Sequence, residues 1–275
     1  MIKSVVERII AMKDIENELK KRVLPHAENT DIYYFDRIES TNTFAKELAN
    51  RSSDKRTAVI LAKAQSAGRG SNGRGFISKA GRGVYLSILF YPQPEVCAAD
   101  ITVYAAVKIC RAIESLCPLN CKIKWVNDIY INDRKLAGIL TEGRVIGDSL
   151  EYAVMGVGIN TRGKRLPHEI SKIATSIEKE CGKLVDSLDL AEKICKEFLS
   201  DLKSIKAQSI KDEYKNRSML IGRTVSVLSP SGDFLAKVLE IRDTGAIILE
   251  DEQKNTHELQ SGTVSLQIQN GEGKK

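Results

Sequence analysis

Residues 124–143 read KWVNDIYINDRKLAGILTEG, and this stretch predicts a β-hairpin. The segments IYI and KLAGIL have strand character, and Asn132 and Asp133 between them favour a tight turn. Such a hairpin brings a cation, an amide and a carboxylate together. The residues concerned are Lys124, Trp125, Asn127, Asp128 and Lys135. Taken singly, a core tryptophan, a turn and an exposed lysine explain them equally well, so other segments must decide.

Strands and helices alternate on both sides of the hairpin. Upstream, TAVILAKAQ and VYLSILFY predict strands around a glycine-rich loop, and residues 100–117 predict a helix. Downstream, SLEYAVMGVGIN predicts a strand whose glycines leave space for a flat ligand. Helices are predicted at 2–24 and around 188–205, and from Ile221 short alternating strands predict a small antiparallel barrel.

The glycine-rich loop reads GRGSNGRG over residues 68–75, which indicates a backbone that approaches an anion. It matches G-x-G-x-x-G, but the glycines at 75–83 leave no room for the helix of a dinucleotide-binding turn. A P-loop requires Lys and then Ser or Thr where this sequence has Arg74 and Gly75. We interpret the loop as a flexible segment that closes over an anion, with an ordinary surface hairpin as the alternative.

Composition excludes several classes of protein. The 275 residues, 42% hydrophobic, suffice for a full core and a small second domain. The net charge of +6 is spread along the chain, the six cysteines form no CxxC pair and the N-terminus is too charged for a signal sequence, which predicts a cytoplasmic protein. No apolar run approaches the ~20 residues of a membrane span. Dispersed His26, His168 and His257, in predicted loops or surface, argue against a histidine metal site or a Ser-His-Asp triad.

Five motifs occur in a fixed order along the chain. They are ESTN (39–42), QSAGRGSNGRGF (65–76), KWVND (124–128), KLAGIL (135–140) and GVGIN (156–160). In this combination the sequence resembles the biotin protein ligases from about IYYFDRIESTN to GVGIN, and more loosely through the C-terminal strands. The resemblance implies an α+β fold, with a mixed-sheet catalytic domain like that of class II aminoacyl-tRNA synthetases and a small SH3-like β-barrel.

The resemblance also implies a domain organisation. We expect an N-terminal helical segment at 1–30, the catalytic domain at 31–218 and the barrel at 219–270. Bifunctional family members carry an N-terminal DNA-binding domain, for which the residues before the catalytic domain are too few, so the monofunctional form without DNA binding is expected. The first helix either packs on the catalytic domain or is a remnant of a regulatory one, and a homodimer is an open alternative.

The family reaction, as the resemblance implies it, has two steps. Biotin and MgATP give biotinyl-5′-AMP and pyrophosphate, and a lysine of a biotin carboxyl carrier protein domain then takes the biotin. Lys135 would place a cation between the biotin carboxylate and the α-phosphate, and Arg69 and Arg74 would hold phosphates as the loop closes. Asp128 would orient the acceptor lysine or accept its proton. ATP and Mg²⁺ are implied, but Mg²⁺ ligands stay unassigned because this ion commonly binds through phosphates and water.

The motif positions then imply the site residues. Catalytic residues are Lys135, Arg69 and Asp128. Biotin-binding residues are Ser40, Thr41, Asn42, Gln65, Gly68, Arg69, Gly70, Ser71, Lys135, Gly138, Leu140, Gly156 and Gly158. ATP-binding residues are Arg69, Arg74, Phe76, Asn127, Asp128 and Asn160.

The sequence departs from the family's common GRGRxGRxWxSP and KWPND motifs at four positions. Ser71 stands where an arginine is usual, Phe76 where a tryptophan is usual, and Lys79 and Val126 where prolines are usual. The missing arginine removes one cation from the phosphate of the intermediate. We therefore predict that the adenylate escapes more readily than from members with the arginine.

Three alternatives remain open at this stage. A lipoate or octanoate protein ligase shares the fold, but those families show an RRxSGGG-type segment or a catalytic cysteine, which this sequence lacks. A sensor of biotinyl-adenylate would not need Lys135 together with two loop arginines. A nucleic-acid-binding barrel would need a basic and aromatic surface, whereas Val, Leu and Ile dominate the C-terminal strands.

Overall fold

A mixed β-sheet forms the centre of the protein, which the computed structural model describes over residues 2–51, 54–163, 172–229, 232–260 and 265–268. Its strands are β1 (Thr30–Phe35), β2 (Thr57–Ala62), β3 (Gly83–Phe90), β4 (Lys122–Lys124), β5 (Asp128–Ile131), β6 (Arg134–Ile146) and β7 (Ser149–Asn160). They lie in the order β1-β2-β3-β7-β6-β5-β4. β1 and β2 are parallel, and the other neighbouring pairs of this sheet are antiparallel. The predicted surface position of His168 lies outside the described residues.

Helices cover the two faces of this sheet unequally. They are α1 (Ile2–Val23), α2 (Thr41–Arg51), α3 (Ala98–Leu116), α4 (Ile177–Cys181), α5 (Ser187–Leu199) and α6 (Gln208–Arg217), with 3-10 turns at Leu24–His26, Ser71–Gly73 and Leu202–Ser204. The larger core lies on the side of α3, where the buried Tyr104 hydroxyl donates to the carbonyls of Phe198 and Asp201. α2 packs on the opposite face over a smaller cluster that includes Ala45 and Tyr152.

The alternation of side chains along β7 separates these two cores. Met155, Val157 and Ile159 belong to the larger core, whereas Tyr152 and Val154 belong to the smaller one. Because successive side chains of a strand point to opposite faces, Gly156, Gly158 and Asn160 continue the face that carries α2. The two glycines leave that face open beyond the end of the small core.

The predicted hairpin is confirmed. β5 and β6 are antiparallel, and the turn between them places Asn132 at φ 48° and Asp133 at φ 59°. Both angles lie in the left-handed region, which two-residue hairpin turns require and which asparagine and aspartate tolerate well. The turn of this hairpin therefore follows from its own residues.

The C-terminal strands form a second, antiparallel sheet. They are β8 (Thr224–Leu228), β9 (Phe234–Ile241), β10 (Ile247–Asp251), β11 (Thr256–Leu259) and β12 (Ser265–Ile268), in the order β11-β10-β9-β8-β12. Trp125 Nε1 donates to the carbonyl of Gly245 at 2.9 Å, and the hydroxyl of Tyr214 donates to the carbonyl of Val126 at 2.8 Å. The KWVND segment thus contacts both the turn between β9 and β10 and helix α6. The predicted α+β class with a small C-terminal β-unit is confirmed, while the numerical domain limits stay a prediction.

The first helix packs on the catalytic sheet. Leu19 and Val23 are fully buried, and Arg22 pairs with Asp189 at the start of α5 at 2.5 Å. The expected packing of this helix is thus observed, and its origin stays an open alternative.

Candidate active site

A row of residues across five strands builds the floor of a cleft on the α2 face. Tyr85 of β3 pairs with Gly158 of β7, Gly158 with Gly138 of β6, and Gly138 with Asp128 of β5. The row continues into β4, where Lys124 pairs with Asp128. Gly158, Gly138 and Asp128 of this row line the cleft, and because the first two are glycines the floor carries no side chain until Asp128.

Lys135 and Asp128 form an ion pair above this floor. Their Nζ and Oδ1 atoms are 2.7 Å apart, and one third of the Lys135 side chain is exposed. A Cβ atom at Gly138 would lie 3.3 Å from Lys135 Nζ and 3.5 Å from Asp128 Oδ1, so the missing side chain leaves room for the pair. The ion pair therefore stands at the open side of the cleft, where a bound anion would compete for Lys135.

The backbone around this pair is held from two directions. The amide of Lys135 donates to the carbonyl of Ile173, and its carbonyl accepts from the amide of Thr175, both at 2.9 Å. Asn127 Nδ2 donates to the carbonyl of Ile139 at 2.6 Å, and the Ile139 amide donates to the carbonyl of Asn127 at 2.9 Å. These bonds fix the start of β6 against the segment before β5.

The polar end of the cleft lies at the start of α2. Gln65 Oε1 accepts from the amide and the hydroxyl of Thr41 at 2.8 and 3.1 Å, and Gln65 Nε2 donates to Ser78 Oγ at 2.9 Å. Ser40 Oγ accepts from the amide of Thr43 at 3.3 Å, which is the capping role that serine favours at a helix start. Ser40 and Thr41 therefore cap and orient this end of the cleft as well as lining it.

Asn42 fills the space that Gly156 leaves. A Cβ atom on Gly156 would overlap Asn42 Oδ1. Ser87 Oγ donates to that oxygen at 2.6 Å, and Asn42 Nδ2 donates to Glu142 Oε2 at 2.9 Å. Glu142 also pairs with Lys46 at 2.5 Å. The amide of Asn42 is thus held in one orientation by residues from α2, β3 and β6.

The charge of Glu142 is retained despite its burial. Burial alone would raise the pKa of the carboxyl, but hydrogen bonds from Lys46 and Asn42, with the charges of Lys46 and Arg69, lower it below its ordinary value. Glu142 is therefore an anion that holds Asn42 and attracts the loop arginine.

The glycine-rich loop is a short hairpin laid over the floor. Arg69 bridges to Gly75, and the amide of Phe76 donates to the carbonyl of Gly68 at 2.8 Å. The Phe76 ring fills the space beside Gly158, where a Cβ atom would lie 2.5 Å from Phe76 Cε1. The structure shows the hairpin, whose aromatic residue enters the cleft, while closure of the loop over an anion stays a prediction.

The structure brings together all but three of the predicted site residues. The cleft is lined by Ser40, Thr41, Asn42, Gln65, Arg69, Gly70, Ser71, Phe76, Asn127, Asp128, Lys135, Gly138, Ile139, Leu140, Gly156, Val157 and Gly158. Their individual roles stay predictions.

Three predicted residues do not line the cleft. Gly68, the first residue of the loop, faces away from the cleft, and a Cβ atom there would lie 2.6 Å from Ser78 Oγ. Arg74 is exposed and its Nε donates to the carbonyl of Ser71 at 3.4 Å. Asn160 ends β7 opposite Gly83, one step beyond the floor.

Sequence reasoning missed residues of two kinds. Ile139 and Val157 lie between predicted residues. Their side chains pack in the larger core, so these residues line the cleft with their backbone. Ser87 and Glu142 hold Asn42 from distant segments, Lys46 one turn further along α2 pairs with Glu142, and no local pattern signals these contacts. Trp125 is a core residue, as one interpretation of the hairpin had it, with 8% of its surface exposed.

Two further classes of site find no support in the described part of the chain. It contains no group of three or more His, Cys, Asp or Glu side chains placed to hold a metal ion. Nor does any described helix have the length and apolar character to cross a membrane.

Comparison with known proteins decides the family. A model of the biotin/lipoate A/B protein ligase family matches residues 34–160. The bifunctional ligase/repressor BirA of Bacillus spizizenii is 31% identical over 244 residues, covering 86% of this chain and 75% of that protein. The chain belongs to the biotin protein ligase family. A biotin-[acetyl-CoA-carboxylase] ligase of Paracoccus denitrificans is 29% identical over 221 residues, covering 78% of this chain and 91% of that protein.

Solved biotin protein ligases share the architecture. The enzyme of Aquifex aeolicus in complex with biotin and ATP is 25% identical, with a TM-score of 0.74 over 87% of this chain and 99% of that one. The biotin protein ligase of Leishmania major in complex with biotinyl-5-AMP, at 17% identity and a TM-score of 0.58, shows the fold alone. The predicted biotin protein ligase fold is thereby confirmed.

Proposed function

We propose that the protein is an ATP-dependent biotin protein ligase that forms biotinyl-5′-AMP and transfers biotin to a lysine of a biotin carboxyl carrier protein domain. The observation that carries this proposal is the Lys135–Asp128 ion pair above a two-glycine floor, next to the polar group around Gln65. A flat apolar floor with a cation at one end and hydrogen-bonding groups at the other suits a bicyclic ureido ring on an acyl chain that ends in a carboxylate.

The polar end supports binding of the ureido ring. A ureido group needs both donors and acceptors, and the hydroxyls of Ser40 and Thr41 with the amide of Gln65 provide both. Their mutual hydrogen bonds orient them before a ligand arrives, which lowers the entropic cost of binding. Gly156 and Gly158 admit Asn42 and the Phe76 ring to the wall of the cleft, and together with Gly138 they would keep the floor low enough for the ring and the valeryl chain.

The first step requires cations between two anions. An oxygen of the biotin carboxylate attacks the α-phosphorus of ATP, and the bond from that phosphorus to the bridging oxygen breaks as pyrophosphate leaves. Lys135 would leave its ion pair with Asp128 and bind these two anions. Arg69 and Arg74 would add positive charge from the loop. Asn127, Asp128, Asn160 and the ring of Phe76 would contact the nucleotide.

The site fits an Mg²⁺ ion that is bound mainly through the phosphates of ATP. Among the described side chains the cleft offers Asp128 as a carboxylate and no cluster of acidic ligands. Mg²⁺ is usually held by one or two carboxylates together with substrate phosphates and waters. When bound, the ion would neutralise phosphate charge, with Asp128 as the residue that would face it.

The second step needs a neutral amine. The acceptor lysine has an unperturbed pKa of about 10.4 and must lose a proton before attack. Asp128 would orient it or take the proton, and closure of the hairpin over the cleft would keep water from the mixed anhydride. The acceptor's nitrogen then bonds to the biotinyl carbonyl carbon, and AMP leaves.

A test of the function uses a purified biotin carrier domain, ATP, Mg²⁺ and biotin, with a parallel reaction that contains lipoate. We expect a mass increase of one biotin on the carrier, no modification by lipoate, and loss of the product with Lys135→Ala. Lipoylation instead of biotinylation would establish the lipoate or octanoate ligase. Biotin binding without transfer to any carrier would make the protein a sensor.

A further inference from the structure

The floor of the cleft extends one strand beyond Asp128. Lys124 on the edge strand β4 pairs in register with Asp128, so the row Gly158, Gly138, Asp128 ends on a lysine. Paired residues of neighbouring antiparallel strands point to the same face. Strands are spaced about 4.8 Å apart, so Lys124 stands about 10 Å from Gly138 on the side away from Asn42 and the polar end.

Lys124 is only partly exposed and lies among other cations. Its Nζ is 5.6 Å from the centre of the Tyr130 ring, and the charged groups that act on it are Asp128, Lys135 and Arg74. Burial, followed by the charges of Lys135 and Arg74, lowers the pKa of Lys124 against the opposing effect of Asp128. Burial also raises the pKa of the Tyr130 hydroxyl, to about 12.

This cluster has more positive charge than its own carboxylate can balance. Asp128 is the carboxylate that acts on Lys124, against the like charges of Lys135 and Arg74, and its Oδ1 is already paired with Lys135. A partly buried ammonium among like charges is unfavourable unless an anion joins it. The unbalanced positive charge lies next to the position proposed for the α-phosphate, on the side away from the biotin end. The departing phosphates of ATP would have to lie on that same side.

We propose that Lys124, assisted by Arg74, binds the β- and γ-phosphates of ATP and the pyrophosphate that they become. This inference rests on the proposed function. When the bond between the α-phosphorus and the bridging oxygen breaks, the electron pair and a negative charge pass to the pyrophosphate, and Lys124 stabilises that charge. Biotinyl-5′-AMP has lost these phosphates, so the second step does not use Lys124.

The two half-reactions therefore separate this role from a structural one. Lys124→Met should slow formation of the adenylate about 10- to 100-fold and raise the KM for ATP, the range expected for loss of a charge-assisted contact. Transfer from chemically prepared biotinyl-5′-AMP should stay at the wild-type rate. Calorimetry with magnesium pyrophosphate alone should show weaker binding, and Lys124→Arg should restore most of it.

Lys122→Met is the matched control, because it removes the same charge from the same strand one step further from Asp128. It should behave as wild type in every assay. Equal loss in both half-reactions, or pyrophosphate binding that Lys124→Met leaves unchanged, would assign Lys124 to support of Asp128 and overturn the inference. If the wild-type protein neither forms an adenylate nor accepts a preformed one, the proposed function itself fails.

Discussion

At the scale of single residues, the pairing of Lys135 with Asp128 sets what the cleft can do. The pair is partly exposed and 2.7 Å long, so each partner is held in place yet remains accessible to a ligand. In the proposed reaction a substrate anion would bind Lys135, and Asp128 would then be released to face the acceptor amine or the nucleotide. One ion pair thus serves both chemical steps of the proposed reaction.

Asp128→Asn tests the role of this carboxylate in transfer. Removal of the charge should slow transfer from preformed biotinyl-5′-AMP about 100-fold, within the usual range for a general base. Raising the pH should recover part of the rate, because more of the acceptor lysine is then neutral. Normal transfer at neutral pH would show that Asp128 neither orients nor deprotonates the acceptor.

Ser71→Arg tests the departure in the glycine-rich loop. Ser71 lines the cleft at the start of a 3-10 turn, so an arginine there would face the phosphate of the intermediate. One added charged contact should slow release of biotinyl-5′-AMP about tenfold. Release is measured by rapid filtration after a single turnover. An unchanged release rate would mean that Arg69 and Arg74 already retain the intermediate fully.

At the scale of secondary-structure elements, β7 and the start of α2 form the site together. The two glycines of β7 make room for different side chains. Gly156 accommodates Asn42, and Gly158 accommodates Phe76. Asn42 belongs to a hydrogen-bonded network, whereas Phe76 belongs to a loop. The same substitution on the same face of one strand should therefore have different consequences.

Gly156→Ala and Gly158→Ala form a matched pair. In Gly156→Ala the new methyl group displaces Asn42 from Ser87 and Glu142, which should cost about 2 kcal/mol of unfolding free energy. In Gly158→Ala the Phe76 ring can move away, so stability should change by less than about 1 kcal/mol while the KM for ATP rises. Urea denaturation and steady-state kinetics measure the two effects. Equal loss of stability would contradict the distinction.

Glu142→Gln tests the charge that holds α2 against β6. Because the pKa of Glu142 is lowered, its carboxylate stabilises the folded protein above its ordinary value of 4.5, and this contribution is lost as the pH falls through the lower folded-state value. The variant should be less stable than wild type by about 1 kcal/mol at neutral pH, and the difference should vanish in acid. A difference that is independent of pH would exclude the ion pair with Lys46 as its cause.

At the scale of the whole molecule, the C-terminal sheet supports the active site from behind. The bond from Trp125 to the carbonyl of Gly245, in the turn between β9 and β10, holds the segment that leads directly into Asn127 and Asp128. Helix α6 holds the same segment through the bond from Tyr214 to Val126. The small second sheet therefore positions the end of the floor although it contributes no residue to the cleft lining.

Trp125→Phe tests this support. Phenylalanine keeps an aromatic ring in the core but leaves the buried carbonyl of Gly245 without its donor, which should cost about 1–3 kcal/mol of unfolding free energy. We also expect a lower kcat, because Asn127 and Asp128 lose part of their restraint. Unfolding by urea at the wild-type midpoint would show that the two sheets do not depend on this bond.

The sequence alone predicted the local parts of this structure. The hairpin at 124–140 and the open face of β7 follow from turn chemistry and from strand periodicity, which act over a few residues. The motifs also identified most of the residues that line the cleft, because they lie on the same few strands and the loop between them. The pattern of apolar residues also predicted the first helix, the central helix α3 and the antiparallel C-terminal strands.

Only the tertiary structure decided which distant residues meet. Lys46 and Glu142 lie almost a hundred positions apart, and so do Asn42 and Leu140, yet they form one hydrogen-bonded group. Likewise, the side chain of Phe76 reached Gly158 only because the loop folds over the sheet, and Trp125 reached Gly245 only because the second sheet docks there. Local periodicity fixes which face a side chain takes, but the packing of strands and helices determines its partner.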